Sequence, residues 1–174
     1  MLKIFTTQLN GVFQKILKQE EVFEDASRFL AQAIVGEGKV YVHGAKEFSG
    51  INSEIKYGED TPQSFEPLFE EGQMKSLSSV DRVLLFAKHA DDEEVIHIAN
   101  ILTKNGIGFV VVSTVLENDS LSNLADIFIN YELTRKLVPT EEGDRIGLPT
   151  LLTGLFIYHC LLLTINEILT DFDE

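Results

Sequence analysis

Residues 81–114 read DRVLLFAKHADDEEVIHIANILTKNGIGFVVVST, and this stretch decides the fold. Two apolar, β-branched runs, Val83–Ala87 and Phe109–Val112, flank a segment in which Val95, Ile98, Ala99 and Leu102 recur at helical spacing. The unit has βαβ length. Such a connection requires a parallel sheet, and parallel sheets bind ligands beyond the carboxyl ends of their strands. The turn leaving the first of these strands, Lys88-His89-Ala90-Asp91-Asp92-Glu93-Glu94, is therefore where chemistry is expected. The spacing predicts a helix from about Asp92 to Asn105, opened by a capping box of Asp91 with Glu94 and closed by Asn105-Gly106.

Upstream, Phe5, Leu9, Val12, Phe13, Ile16 and Leu17 repeat at helical spacing. Val22, Phe23, Ala26, Phe29, Leu30, Ala33 and Ile34 then do the same, so residues 1–36 predict two helices stopped by Gly36-Glu37-Gly38. Lys39–His43 follows as a short strand, and Gly44 opens a turn into a helix with Phe48, Ile51 and Ile55 on its apolar face. Residues 56–64 are polar and contain Gly58 and Pro62, the composition of a loop. Ser64–Phe69 reads as an edge strand, because Pro67 would interrupt a central ladder. Gly72–Ser79 reads as a short helix or loop.

Downstream come a strand over 107–113, a short helix around Ser120–Ala125 and a strand over Ile127–Tyr131. A polar stretch and then a long apolar helix over 149–170 close the chain. Alternating strands and helices give an α/β fold, a three-layer sandwich around a mostly parallel sheet of four or five strands. Right-handed crossovers make the flavodoxin-like order 2-1-3-4-5 the simplest, within one domain spanning residues 1–174 and an α/β core over 39–131. In that order the turn after Val42 faces the turn after Ala87.

Composition narrows the function. Of 174 residues, 28 are Asp or Glu and 14 are Lys or Arg, a formal net charge of −14. That balance excludes nucleic acid as a partner, since phosphate backbones demand clustered cations. The single cysteine, Cys160, rules out an intrachain disulfide and reads as a packing residue of a reducing compartment. The first residues lack the continuous apolar core of a signal peptide, so cytoplasm is the expected location. Leu151–Leu169 approaches membrane-span length but contains Gly154, His159, Asn166 and Glu167, so a buried or interfacial helix is expected in place of a span.

The successive segments KVYVHGAKEFSG (39–50), RVLLFAKHADDEEV (82–95), NGIGFVVVST (105–114) and SLSNLADIFIN (120–130) resemble the SIS (sugar isomerase) domain in kind and order. More narrowly, they resemble an uncharacterised bacterial group labelled as phosphoheptose isomerases. The resemblance implies a phosphosugar or carbohydrate-derivative ligand, no cofactor, and assembly into a homodimer or tetramer. SIS domains hold phosphate with a Ser-x-Ser-Gly-x-Thr type turn at a helix amino terminus. Here that turn has neither hydroxyl nor glycine, and four consecutive acids stand in it. Each carboxylate a few Å from a phosphate costs on the order of 1 kcal/mol at intermediate dielectric.

The turn after the first strand keeps the family's features better. Gly44, Lys46 and Ser49 are therefore the leading ligand contacts, with Lys88, His89, Ser113 and Thr114 on the same rim of the sheet. The resemblance further implies a glutamate and a histidine for proton transfer, for which Glu54 and His159 are the nearest candidates. Three functions follow: a phosphosugar-binding module first, a phosphoheptose-type aldose–ketose isomerase second, and a non-catalytic assembly or regulatory protein third. Convergence of Lys46, Lys88 or Arg135 with Ser49 would favour the first. Filling of the cleft by Asp91–Glu94 would favour the third.

Other polar residues have structural explanations. Glu93 and His97 share a helical face at a spacing compatible with metal, but acids at a helix start are accounted for by capping and the dipole, so no metal is expected. His43 ends its strand facing either core or site. Arg135, Lys136 and Arg145 lie in a polar stretch where cations solvate a loop.

Overall fold

The computed structural model describes residues 1–114 and 120–172. At its centre lie five strands, β1 (Val40–Gly44), β2 (Phe65–Pro67), β3 (Arg82–Phe86), β4 (Gly108–Ser113) and β5 (Ile127–Asn130). Every neighbouring pair is parallel, and the spatial order is 2-1-3-4-5. The expected sheet is therefore the observed one. Pro67 sits on the edge strand, paired in register with Val42, where its missing N–H interrupts no inner ladder.

Both faces of the sheet are covered, which is why its strands read as continuous apolar runs. Val40, Val42, Leu84, Phe86, Val110 and Val112 point to one side, into a core shared with α1 (Leu2–Leu17), α2 (Glu20–Val35), α3 (Ser49–Tyr57) and α6 (Thr150–Phe172). Tyr41, Val83, Leu85, Phe109 and Val111 point to the other, against α4 (Glu93–Lys104) and α5 (Leu121–Leu124). The crossover helices α3 and α4 thus lie on opposite faces, and their parting opens the switch point between β1 and β3.

Three local readings change. Asp92, not Asp91, caps α4, its side chain accepting from the N–H groups of Glu94 and Val95. Asp91 stays exposed. Gly72–Ser79, expected as a short helix or loop, instead begins inside an antiparallel hairpin in which Phe69–Glu70 pairs with Gln73–Met74. Its two-residue turn, Glu71-Gly72, has positive φ at both positions, the type I′ pattern that matches strand twist. The polar stretch before α6 contains a second hairpin, Val138–Pro139 with Arg145–Ile146.

Two glycines are set by close approach. A Cβ on Gly154 of α6 would come within 2.5 Å of the Phe48 ring, and one on Gly44 within 2.1 Å of the Phe48 carbonyl oxygen. Phe48, fully buried, thereby locks the turn after β1 against α6.

Candidate functional site

The turn after β1 and the turn after β3 face each other across the switch point, and polar side chains join them. Lys46 Nζ lies 2.6 Å from Asp92 Oδ2, Lys88 Nζ 2.5 Å from Glu47 Oε1, and His43 Nε2 2.8 Å from Glu94 Oε1. Each pair spans more than forty residues of sequence, so all three follow from topology. Lys46 and Lys88 each meet a carboxylate of the turn opposite.

Asp92 is the centre of this arrangement. Its side chain is only 4% exposed and faces the Lys46 ammonium. Burial pushes its carboxyl up, but the Lys46 ammonium and the N–H groups of Val95 and Glu94 outweigh burial and hold it below the usual aspartate value. An internal carboxylate therefore occupies the amino terminus of α4, the position that attracts anions in this architecture. Glu47 is likewise held low, chiefly by its bond to Lys88 against the opposing effect of burial. Lys46 is raised by its hydrogen bond to Asp92 and adopts a left-handed backbone with φ of 49°.

Gly44 offers its backbone to neither ligand nor solvent. Its N–H donates to Asn52 Oδ1 at 2.8 Å, and its carbonyl accepts from Asn52 Nδ2 at 3.0 Å. Ser49 is exposed at the first position of α3, and His89 is exposed on the opposite turn. Ser113 is fully buried on the α4 side of β4, its hydroxyl without a partner among the described residues. Thr114 is buried too and donates to the carbonyl of Lys88 at 3.0 Å. Tyr131 donates to the same carbonyl at 2.9 Å, so two hydroxyls hold the backbone from which Lys88 projects. Burial, and secondarily Glu47, push the Tyr131 phenol up, leaving it a firm donor.

Glu54 and His159 meet elsewhere. Their side chains, on α3 and α6, approach to 3.8 Å and are partly exposed, 36% and 47% respectively. Glu54 lies further along α3 than Ser49, and its carbonyl accepts from Thr61 in the loop leading to the amino end of β2. Arg135 is exposed after β5, while Arg145 donates to the carbonyls of Lys136 and Leu137, both at 2.7 Å, and ties the second hairpin together. Among the described residues, no three His, Cys, Asp or Glu side chains gather as a metal site. Two cavities, of about 630 and 440 Å³, lie between α2 and α6 and share Arg28, Ile168 and Asp171. Burial pushes the thiol of Cys160, which lines the smaller one, upward and away from reactivity.

Sequence reasoning passed over Asn52, Glu47 and Tyr131. Asn52 carries no motif, and its role depends on one turn of helix bringing it back over Gly44. Glu47 stands beside Lys46 in the quoted turn but pairs with a residue 41 positions away.

The family model for a domain of unknown function, DUF2529, matches residues 1–169. The chain belongs to the DUF2529 family. It is 36% identical over 174 residues to the uncharacterized protein YwjG of Bacillus subtilis (strain 168), with 99% of each chain covered. Solved structures extend the likeness of this DUF2529 member to a wider fold. A phosphoheptose isomerase from Francisella tularensis superposes with a TM-score of 0.65 at 14% identity, covering 95% of this chain and 98% of that one. The Vibrio vulnificus NanR protein, complexed with ManNAc-6P, gives 0.65 at 14% identity, with 99% of this chain and 63% of that one covered. The sugar isomerase domain of an RpiR transcription factor from Sphaerobacter thermophilus gives 0.61 at 13% identity, with 96% of each covered. The shared property at such identities is the fold, that of sugar phosphate isomerase domains.

Proposed function

We propose that this DUF2529 chain is a cytoplasmic phosphosugar-binding domain, one unit over residues 1–174, that senses its ligand and does not isomerise it. The observation that carries the reading is that Lys46 and Lys88 each reach across the switch point from opposite turns to a carboxylate. Both cations face internal carboxylates that a phosphate is able to replace. Ser49 and His89, exposed on the two facing turns, complete the proposed rim, and the buried Gly44, Ser113 and Thr114 support it from within. Isomerisation needs a base within hydrogen-bond reach of the carbon next to the carbonyl. Glu54 and His159 pair with each other beside α6, not across the rim where the cations meet, which favours binding without turnover. One protein that contains the same fold, NanR, is complexed with ManNAc-6P, and in another the fold is the sugar isomerase domain of a transcription factor.

A second reading rests on the two lysine–carboxylate pairs and the His43–Glu94 hydrogen bond themselves. If Asp92, Glu47 and Glu94 never yield their partners, the cleft is vestigial and the protein serves assembly or regulation.

Calorimetric titration with aldose and ketose 5-, 6- and 7-phosphates, each beside its free sugar and inorganic phosphate, tests the proposal. Binding of at least one sugar phosphate, weakened tenfold or more by Lys46→Ala or Lys88→Ala, is the expected result. An unchanged ligand by carbon-13 NMR after hours with the protein supports sensing. No binding by any sugar phosphate refutes the proposal and leaves the second reading; conversion of aldose to ketose refutes the non-catalytic part.

A further inference from the structure

Helices α2 and α6 pack side by side and leave a groove between them. Cys160 and Thr164 of α6 line it opposite the amino-terminal half of α2, and Phe172 lines it opposite Val35, so the two helices run in the same direction. From Cys160 to Phe172 the groove extends about 18 Å at 1.5 Å per residue, roughly three turns of a third helix. Its two cavities, of about 630 and 440 Å³, adjoin at Arg28, Ile168 and Asp171.

The cavities differ in chemistry. Ala31, Val35, Ile168 and Phe172 make the larger one apolar, and Val35 and Phe172 there are 56% and 72% exposed. Around the smaller one stand Glu20, Glu24, Glu167 and Asp171, with Arg28 as the one cation in its lining. Arg28 is already bonded to Glu24, one turn earlier on the same helix. Glu20, Glu167 and Asp171 meet no cation among the described residues. Like charges without a counter-ion repel one another, and an open apolar patch beside them gains from being covered. A cover that answers both is apolar along one stripe and basic beside it.

We propose that this groove docks an amphipathic helix of a partner protein, its apolar stripe in the larger cavity and its Lys or Arg residues among the acids of the smaller one. A helix laid in an apolar groove is a recurrent mode of recognition, and the trough between two parallel helices has the shape for it. Charge sets the other occupants apart. A second copy brings the same acids and a net charge of −14, and anionic lipid and nucleic acid are repelled in the same way. Complementary charge also makes the association salt-dependent.

Titration of the nitrogen-15-labelled full chain with an 18-residue peptide of Leu and Lys, its Leu residues at i, i+3, i+4 and i+7 spacing, tests this by NMR. Saturable shift changes centred on Ala31, Gln32, Glu167 and Ile168 are expected, with affinity falling at least tenfold between 0.05 and 0.5 M salt. The double variant Glu167→Lys with Asp171→Lys weakens binding at least tenfold. It keeps the wild-type melt, because both side chains are exposed and cations suit the carboxyl end of a helix. Gln32→Trp fills the larger cavity from an exposed position and weakens binding as much without any change of charge. No binding of the peptide, shift changes spread over the acidic surface at large, or an unchanged affinity in either variant overturns the proposal. Equal binding of a peptide with the same composition and scattered Leu residues overturns the apolar stripe. Equal binding of the peptide with Glu in place of Lys overturns the basic one. A dimer in sedimentation, or flotation with phosphatidylglycerol vesicles, that Gln32→Trp abolishes overturns the proposal in favour of a second copy or a lipid surface.

Discussion

Replacing Asp92 separates its three roles as helix cap, internal anion and counter-ion of Lys46. Asp92→Ala removes the acceptor of the Glu94 and Val95 N–H groups, at 3.1 and 3.2 Å, in a side chain that is almost wholly buried. Loss of a cap costs about 0.5–2 kcal/mol, and burial at this site places the change in the upper half of that range. The Lys46 ammonium is solvated and adds little. For a domain of this size the expected fall in Tm is roughly 3–8 °C. Asp92→Asn keeps a capping oxygen and is expected to melt within about 2 °C of the wild type, since Asn and Asp cap equally well. Both variants free Lys46, so both are expected to bind a sugar phosphate more tightly than the wild type. Thermal melts followed by circular dichroism, with and without ligand, read all of this. Equal Tm losses in the two variants would refute the capping argument. Weaker binding in Asp92→Asn would refute the view that Asp92 competes with a phosphate.

Other consequences follow from packing and charge. Gly154→Ala forces a Cβ to within 2.5 Å of the Phe48 ring and is expected to cost roughly 1–3 kcal/mol in urea denaturation, as overpacking does. Gly44→Ala meets a backbone oxygen at 2.1 Å, which has less freedom to move, and is expected to cost more than Gly154→Ala. Glu37 holds φ of 61° where α2 ends, so Glu37→Gly is expected to raise stability by about 1 kcal/mol, seen as a higher urea midpoint. Asp92, Glu47 and Glu66 all have carboxyls lowered in the folded state, Glu66 by Lys39 and then Lys75. Lowered carboxylates contribute stability that is present above the unfolded values near 4 and lost as pH falls through the folded ones. A pH series of urea midpoints should therefore be flat in this contribution above about pH 5 and fall steeply below about pH 4.

The fold was legible because its signals are local and periodic. The runs Val83–Ala87 and Phe109–Val112 are buried on both faces, so they read as strands from composition alone. Pro67 marked its strand as an edge, and Asn105-Gly106 closed α4 as expected, with φ of 68° at Gly106. The hairpins were missed because each strand is two residues long, too short for alternation to register. The cap was misassigned by one residue because Asp91 and Asp92 are equivalent by type. Only backbone direction distinguishes them: Asp92 is extended at ψ of 114°, and its side chain turns back to the free N–H groups.

The partners within the site were harder to read than its members, yet the topology contains most of the answer. Lys46, Lys88 and the acids of the β3 turn were each visible, but a sequence places Lys46 and Asp92 46 positions apart and gives no reason to join them. The order 2-1-3-4-5 supplies that reason, since it makes β1 and β3 neighbours and brings their carboxyl ends together. Once they are adjacent, an acidic turn at the amino end of α4 needs partners from the turn opposite, and Lys46 and His43 are the groups within reach. Glu47 completes the exchange by returning a carboxylate to Lys88. Asp92, the buried one of the four acids that argue against a phosphate, is thus neutralised by Lys46, a residue a phosphate would use. Ligand binding at this rim becomes a competition between two anions for one set of cations, and its outcome depends on how much of the Asp92 contact the cap itself retains.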